Sequence, residues 1–179
     1  MTISIPSAAL GCALWAAASA AALAQDTPAT LPGGASSLRE TFTDWEVTCT
    51  PREGTPLCAL SQQQRQDNGQ NVLTVELTSS DASAGARGAM LLPFGLALGK
   101  GVTLRIGEAE PGAPLPFSTC LPAGCLVPLE FDAETLAALR DAGTLTLGAT
   151  VNGSDRAVNF TVSLAGFSAA LERTASLSQ

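Results

Sequence analysis

Phe117 to Leu129 reads FSTCLPAGCLVPL, and this stretch sets the pattern for the chain. Cys120 and Cys125 flank Pro122 and Gly124, residues that bias the interval towards a turn. A disulfide there closes a small loop and adds on the order of 2 kcal/mol by the chain-entropy argument. The flanking segments then become short strands around a covalent turn, with Cys125 to Phe131 as the strand that follows it.

Outward from this loop the chain repeats short alternating runs and tight turns. Phe42 to Cys49, FTDWEVTC, sets Trp45, Val47 and Cys49 against Asp44, Glu46 and Thr48, the period of a strand with one buried face. Trp45 reads as a core aromatic beside that strand's cysteine. Pro51, Gly54 and Pro56 make a turn, and Leu57 to Gln64 returns. Asn68-Gly69 before NVLTVELT predicts a type I′ hairpin turn, because both residues accept positive φ. Ser79 to Gly88 reads as a small-residue loop. Ala89 to Gly107, AMLLPFGLALGKGVTLRIG, is apolar enough to suggest a membrane span, but Pro93, Gly95, Gly99, Lys100 and Gly101 divide it into strands. Gly99-Lys100-Gly101 is read as a tight turn and not as a phosphate loop, since no Ser or Thr follows Lys100 and no helical pattern follows the glycines. TLTLGATV and AVNFTVSL, joined by Asn152 to Asp155, make a further hairpin.

Two stretches have helical signals. Asp132 is an N-cap before AETLAALRDAG, with Leu136 and Leu139 on one face and Gly143 past the end. Asp132 and Glu134 are therefore first-turn charges complementing the helix dipole, not a catalytic pair. Gly166 to Leu171 predicts a turn into a short amphipathic helix, with Phe167 and Leu171 packing back and the last residues fraying. The fold expected is all-β, an antiparallel β-sandwich with one or two short helices; a β-barrel is the alternative.

Residues 1–24 carry no charged side chain and end in Ala22-Leu23-Ala24, the form of a signal peptide cleaved after Ala24. A lipid-anchor reading at Cys12 is set aside because the apolar run continues past it. Residues 25–40 read as a flexible leader, and residues 41–174 as a single β-rich domain. The mature chain of about 155 residues is long enough to bury a core unaided and carries no further membrane-spanning segment. Export implies a periplasmic, outer-envelope or secreted protein. In that oxidising setting the four remaining cysteines read as two disulfides, and of the three possible connectivities, proximity favours Cys49 with Cys58 and Cys120 with Cys125.

Composition removes several functions. The net charge of −7, with one lysine and eight scattered arginines, offers no basic stripe for nucleic acid. The chain has no histidine, which excludes imidazole-based triads and His-ligated zinc. Neither cysteine pair is C-x-x-C, which disfavours a thioredoxin-type redox role. No catalytic, metal or cofactor residue is assigned. The remaining enzymatic option is a carboxylate pair such as Glu108 with Glu110.

Taken in order, Asp44 to Cys49 (Asp-Trp-x-Val-x-Cys), Cys58 to Gln64, Leu92 to Gly101, Phe117 to Cys125 (Phe-x-x-Cys-x-x-x-Gly-Cys) and Gly166 to Ala170 (Gly-Phe-x-x-Ala) form a recognisable series. It resembles the invasion-associated locus B family of exported bacterial proteins over residues 41–171. The resemblance implies a compact β-rich envelope or secreted protein, a family named for entry of a pathogen into host red cells, and no catalytic residues to carry over. The function expected is non-enzymatic binding of a protein or envelope component, or of a host surface in a pathogen. The alternative is a carboxylate-dependent hydrolase of cell-wall or sugar polymers. A pocket holding two carboxylates within about 10 Å favours the hydrolase; a flat surface with an apolar patch favours the binder.

Overall fold

The computed structural model describes residues 31–52 and 55–178. The elements run β1 (Leu38–Phe42), β2 (Trp45–Arg52), β3 (Thr55–Arg65), β4 (Asn71–Thr78), β5 (Gly85–Leu92), β6 (Thr103–Ile106), β7 (Thr119–Leu121), β8 (Gly124–Asp132), α1 (Ala133–Asp141), β9 (Thr144–Thr150), β10 (Ala157–Ser163) and α2 (Phe167–Leu177). They form a seven-stranded antiparallel sheet, ordered β1-β2-β3-β4-β5-β8-β7, and a three-stranded one, β10-β9-β6. Both sheets are open, so the architecture is the sandwich and not the barrel.

Period-two alternation explains how the layers meet. Trp45, Val47, Leu60, Leu73, Val75, Leu77, Met90, Leu92, Val127 and Leu129 are buried on the inner face of the large sheet. They share one core cluster with Leu145, Leu147 and Val162 of the small sheet, Leu136 and Leu139 of α1, and Phe167 and Leu171 of α2. Trp45 joins three layers: its ring lies edge-on to Phe167 at 5.2 Å, and its indole Nε1 donates to the Ser163 carbonyl at 2.9 Å. A buried glutamine forms the seam between the sheets. Gln62 Nε2 donates to Ser163 O at 2.9 Å while its Oε1 accepts from Ser163 N at 3.2 Å, so the side-chain amide pairs with β10 as a strand backbone would. Gln64 Nε2 extends the seam to Thr161 O at 2.6 Å.

At several points the structure departs from the sequence reading. The leader expected over residues 25–40 is folded where the structure describes it. Leu31 is 1% exposed in the core, and β1 pairs along β2 from Leu38↔Cys49 to Phe42↔Trp45. That strand hides in sequence because its inward face carries Glu40, whose partner is 133 residues away on α2: Arg173 Nε and Nη2 hold the carboxylate at 2.7 and 2.8 Å. Residues 25–30 and the expected signal peptide lie outside the described residues. The Asn68-Gly69 turn is not type I′, since only Gly69 takes positive φ (81°). Gly69 N donates to Gln66 O and Gln66 N to Gln70 O, and the register slips at Gln64/Arg65, giving a longer turn that glycine closes. Residues 85–88, read as loop, belong to β5. Gly99-Lys100-Gly101 lies in and after a 3-10 turn, Leu98–Lys100. The C-terminal helix extends past Leu171, the end read from sequence, to Leu177, with Thr174, Ala175 and Leu177 buried.

The Glu40–Arg173 pair carries a pH signature. Hydrogen bonds from Arg173 hold the Glu40 carboxyl below its ordinary value, and Glu40 raises Arg173 in return. Because the folded value is the lower one, the pair stabilises fully above the unfolded carboxylate's titration, and the contribution is lost as pH falls through the folded value. Both side chains are about one-third exposed, so Arg173→Ala is expected to cost about 0.5–1 kcal/mol at pH 7. Urea unfolding of both proteins across the acid range should show that gap closing below the ordinary carboxylate range.

Candidate functional site

The four described cysteines form two bonds within the large sheet. Cys49 and Cys58 face each other across β2 and β3 and are bonded, with Cα atoms 4.1 Å apart. Cys120 and Cys125 do the same across β7 and β8 at 3.9 Å. The second bond fixes a three-residue edge strand that has little else to hold it, since Thr119, Cys120 and Leu121 are all exposed.

In front of that bond, on the outer face of the sheet, lies an apolar strip. Leu91 of β5 opposes Leu126 of β8, and Ala89 opposes Pro128. Thr119 of β7 opposes Leu126, and Leu121 opposes Gly124. Alternation places this set on the face turned away from the small sheet. Leu91 closes over Gly124, whose missing side chain would meet Leu91 Cγ at 3.1 Å. Leu121 is 47% exposed, and Phe94, just past the end of β5, is 60% exposed. The strip ends at the charged pair Arg87 and Glu130, directly opposed across β5 and β8.

The sheet edges differ in how they are guarded. β10 is closed by Gln62 and Gln64. β6 is covered by the following segment, where Gly112 N donates to Leu104 O, with Leu115 and Val102 exchanging two bonds alongside. β1 carries Arg39 and Glu40, both ion-paired. β7 carries no charge and adjoins the apolar strip.

The carboxylates are arranged otherwise. A cleft of about 930 Å³ opens at one end of the sheet, with half-exposed Leu57, Asp81, Glu130 and Asp132 among its lining. Asp81 accepts from Ser83 Oγ at 2.6 Å and Ser83 N at 2.8 Å, and these bonds lower its pKa. Asp132 accepts from Thr135 N at 2.8 Å as the N-cap of α1 and is lowered by that bond. Each is held ionised by its own turn, the opposite of what a proton-donating carboxyl needs. Glu108 and Glu110 lie elsewhere, exposed on the turn after β6 beside a separate groove of about 560 Å³. Among the described residues, no group of three His, Cys, Asp or Glu side chains is placed to hold a metal, and no helix is long and apolar enough to cross a membrane.

No contact role was read for the strip from sequence, although Leu121, Leu126 and Pro128 lie in the Phe117–Leu129 stretch. Ala89 to Leu92 and Leu126 to Leu129 are near-continuous apolar runs, and only the register decides which members face outward. The usable signal was Cys120-Leu121, an apolar residue beside a cysteine at a stapled turn.

Comparison with known proteins gives one answer. The family model described as invasion associated locus B (IalB) protein matches residues 45–175. An invasion protein B homolog of Brucella abortus (strain 2308) is 44% identical over 152 residues, 84% of this chain and 87% of the relative. Invasion protein B of Bartonella bacilliformis is 36% identical over 151 residues, 83% of this chain and 81% of the relative. The crystal structure of invasion associated protein b from Bartonella henselae superposes with a TM-score of 0.72 at 33% identity, covering 78% of this chain and 96% of that one.

Proposed function

Since the chain belongs to the invasion-associated locus B family, we propose that it is an exported, envelope-associated protein that works by contact and not by catalysis. The partner is a protein or envelope component or, in a pathogen, a feature of the host surface, as the names of the Brucella and Bartonella relatives suggest. Two disulfides fit an oxidising compartment outside the cytoplasm.

The observation that carries the contact reading is the strip around Leu91, Leu121 and Leu126. An uncharged edge strand stapled from behind presents apolar side chains to solvent on a rigid sheet, so little ordering entropy is lost when a partner covers them. The carboxylate hydrolase has no such support, because Asp81 and Asp132 are each tied to their own turns and Glu130 stands opposite Arg87.

Combining Leu121→Asp with Leu126→Ser tests the reading. The variant is expected to keep its fold by circular dichroism, since both sites face outward, while its envelope-associated fraction and its cross-links in the native cell disappear. A folded variant that retains both would remove the strip from the account.

A further inference from the structure

A second surface departs from the apolar strip in its chemistry. α1 and β6 do not pack flush. On the outward side α1 presents Thr135 and Ala138, followed by its C-cap Ala142, and these short side chains leave the groove of about 560 Å³ between the helix and Leu104 and Ile106 of β6. Its lining is largely apolar and includes Phe131. Its rim is acidic: Glu108 and Glu110 stand on one bank and Asp141 on the other, all exposed, and no Lys or Arg lines it. The volume lies within the range of about 300–1,000 Å³ typical of sites that enclose a compact ligand group.

We propose that this groove binds a polypeptide segment in which a bulky apolar side chain is flanked by lysine or arginine. The apolar residue fills the space left by Ala138 and Ala142, and the cations meet the carboxylates on either bank. Charge complementarity selects this occupant. An apolar side chain from an acidic segment would bring like charges against Glu108, Glu110 and Asp141, whereas flanking cations gain on both banks. The proposal rests on the contact reading above and adds to it a second position and a partner chemistry.

The probe is a fluorescein-labelled octapeptide of alternating leucine and lysine, titrated into the protein and followed by anisotropy, beside its leucine–glutamate counterpart. The lysine peptide is expected to bind and the glutamate peptide not to. Ala138→Trp, which fills the groove from an exposed helix position, should weaken binding about tenfold or more, and the pair Glu108→Lys with Glu110→Lys by about tenfold. Asp67→Lys with Glu76→Lys changes net charge by the same amount on distant exposed sites and should leave affinity within about twofold. Methyl shifts of Leu104 and Ile106 on peptide addition report the site in the unmodified protein, independently of how Ala138→Trp folds. Unchanged affinity in folded Ala138→Trp, equal weakening by the distant pair, or no shift at those methyls overturns the groove. Any of these would leave the strip, tested in the native cell, untouched.

Discussion

Trp45→Ala is expected to destabilise the protein by about 3–5 kcal/mol, a large part of the 5–15 kcal/mol available to a domain of this kind. The residue is 2% exposed and touches three layers at once. Its loss opens a cavity under Phe167, removes the aromatic pair at 5.2 Å, and withdraws the indole bond to Ser163 O, leaving Gln62 Nε2 as the remaining side-chain donor to that carbonyl. Trp45→Phe keeps most of the volume and gives up the indole N–H, so it should cost about 1–2 kcal/mol. Urea denaturation monitored by circular dichroism measures both. Equal costs for the two variants would mean that the hydrogen bond, and not the packing, holds β2, β10 and α2 together.

Gly166→Ala is expected to cost about 2–5 kcal/mol, although it adds a single methyl. Gly166 precedes α2 with φ of 86°, and a Cβ there would run into the Phe42 carbonyl and approach the Thr43 side chain at 3.2 Å. Backbone strain and steric conflict therefore act together. The close approach seats α2 on the β1–β2 turn, where Asp44 N also donates to Ala165 O at 3.3 Å. Because α2 also supplies Phe167, Leu171 and Arg173, the substitution should loosen the helix and shift the Glu40 titration towards its ordinary value. The thermal midpoint and a carboxyl NMR titration of Glu40 report the two effects separately.

Much of this fold was legible because local signals and long-range packing agree. Alternation around Trp45, the β9–β10 hairpin and the cap-to-glycine pattern of α1 each bury apolar residues in the conformation their own sequence favours. The readings diverge where stability comes from a distant partner. β1 looks like leader because Glu40 is inward-facing and charged, and the bidentate contact from Arg173 makes that tolerable. The helical signal was read only to Leu171, yet α2 runs on to Leu177, where Thr174 is buried and its Oγ1 bonds back to Ala170 O at 2.8 Å. The apolar strip was hidden for a different reason. In a run such as Met90-Leu91-Leu92, composition is the same on both faces, and only pairing with Leu126 assigns Leu91 to the outside.

Contact through a stapled sheet edge is tested most directly by a photo-reactive amino acid placed at Leu121 in the living cell, with Asp67, in the β3–β4 turn three strands across the sheet, as the control position. The expected result is one discrete adduct from Leu121, absent from Asp67 and lost when Leu126→Ser is combined with it. Adducts of equal yield from both positions, or none from Leu121 in a protein whose Cys120–Cys125 bond is intact, would contradict the assignment of this face as the working surface.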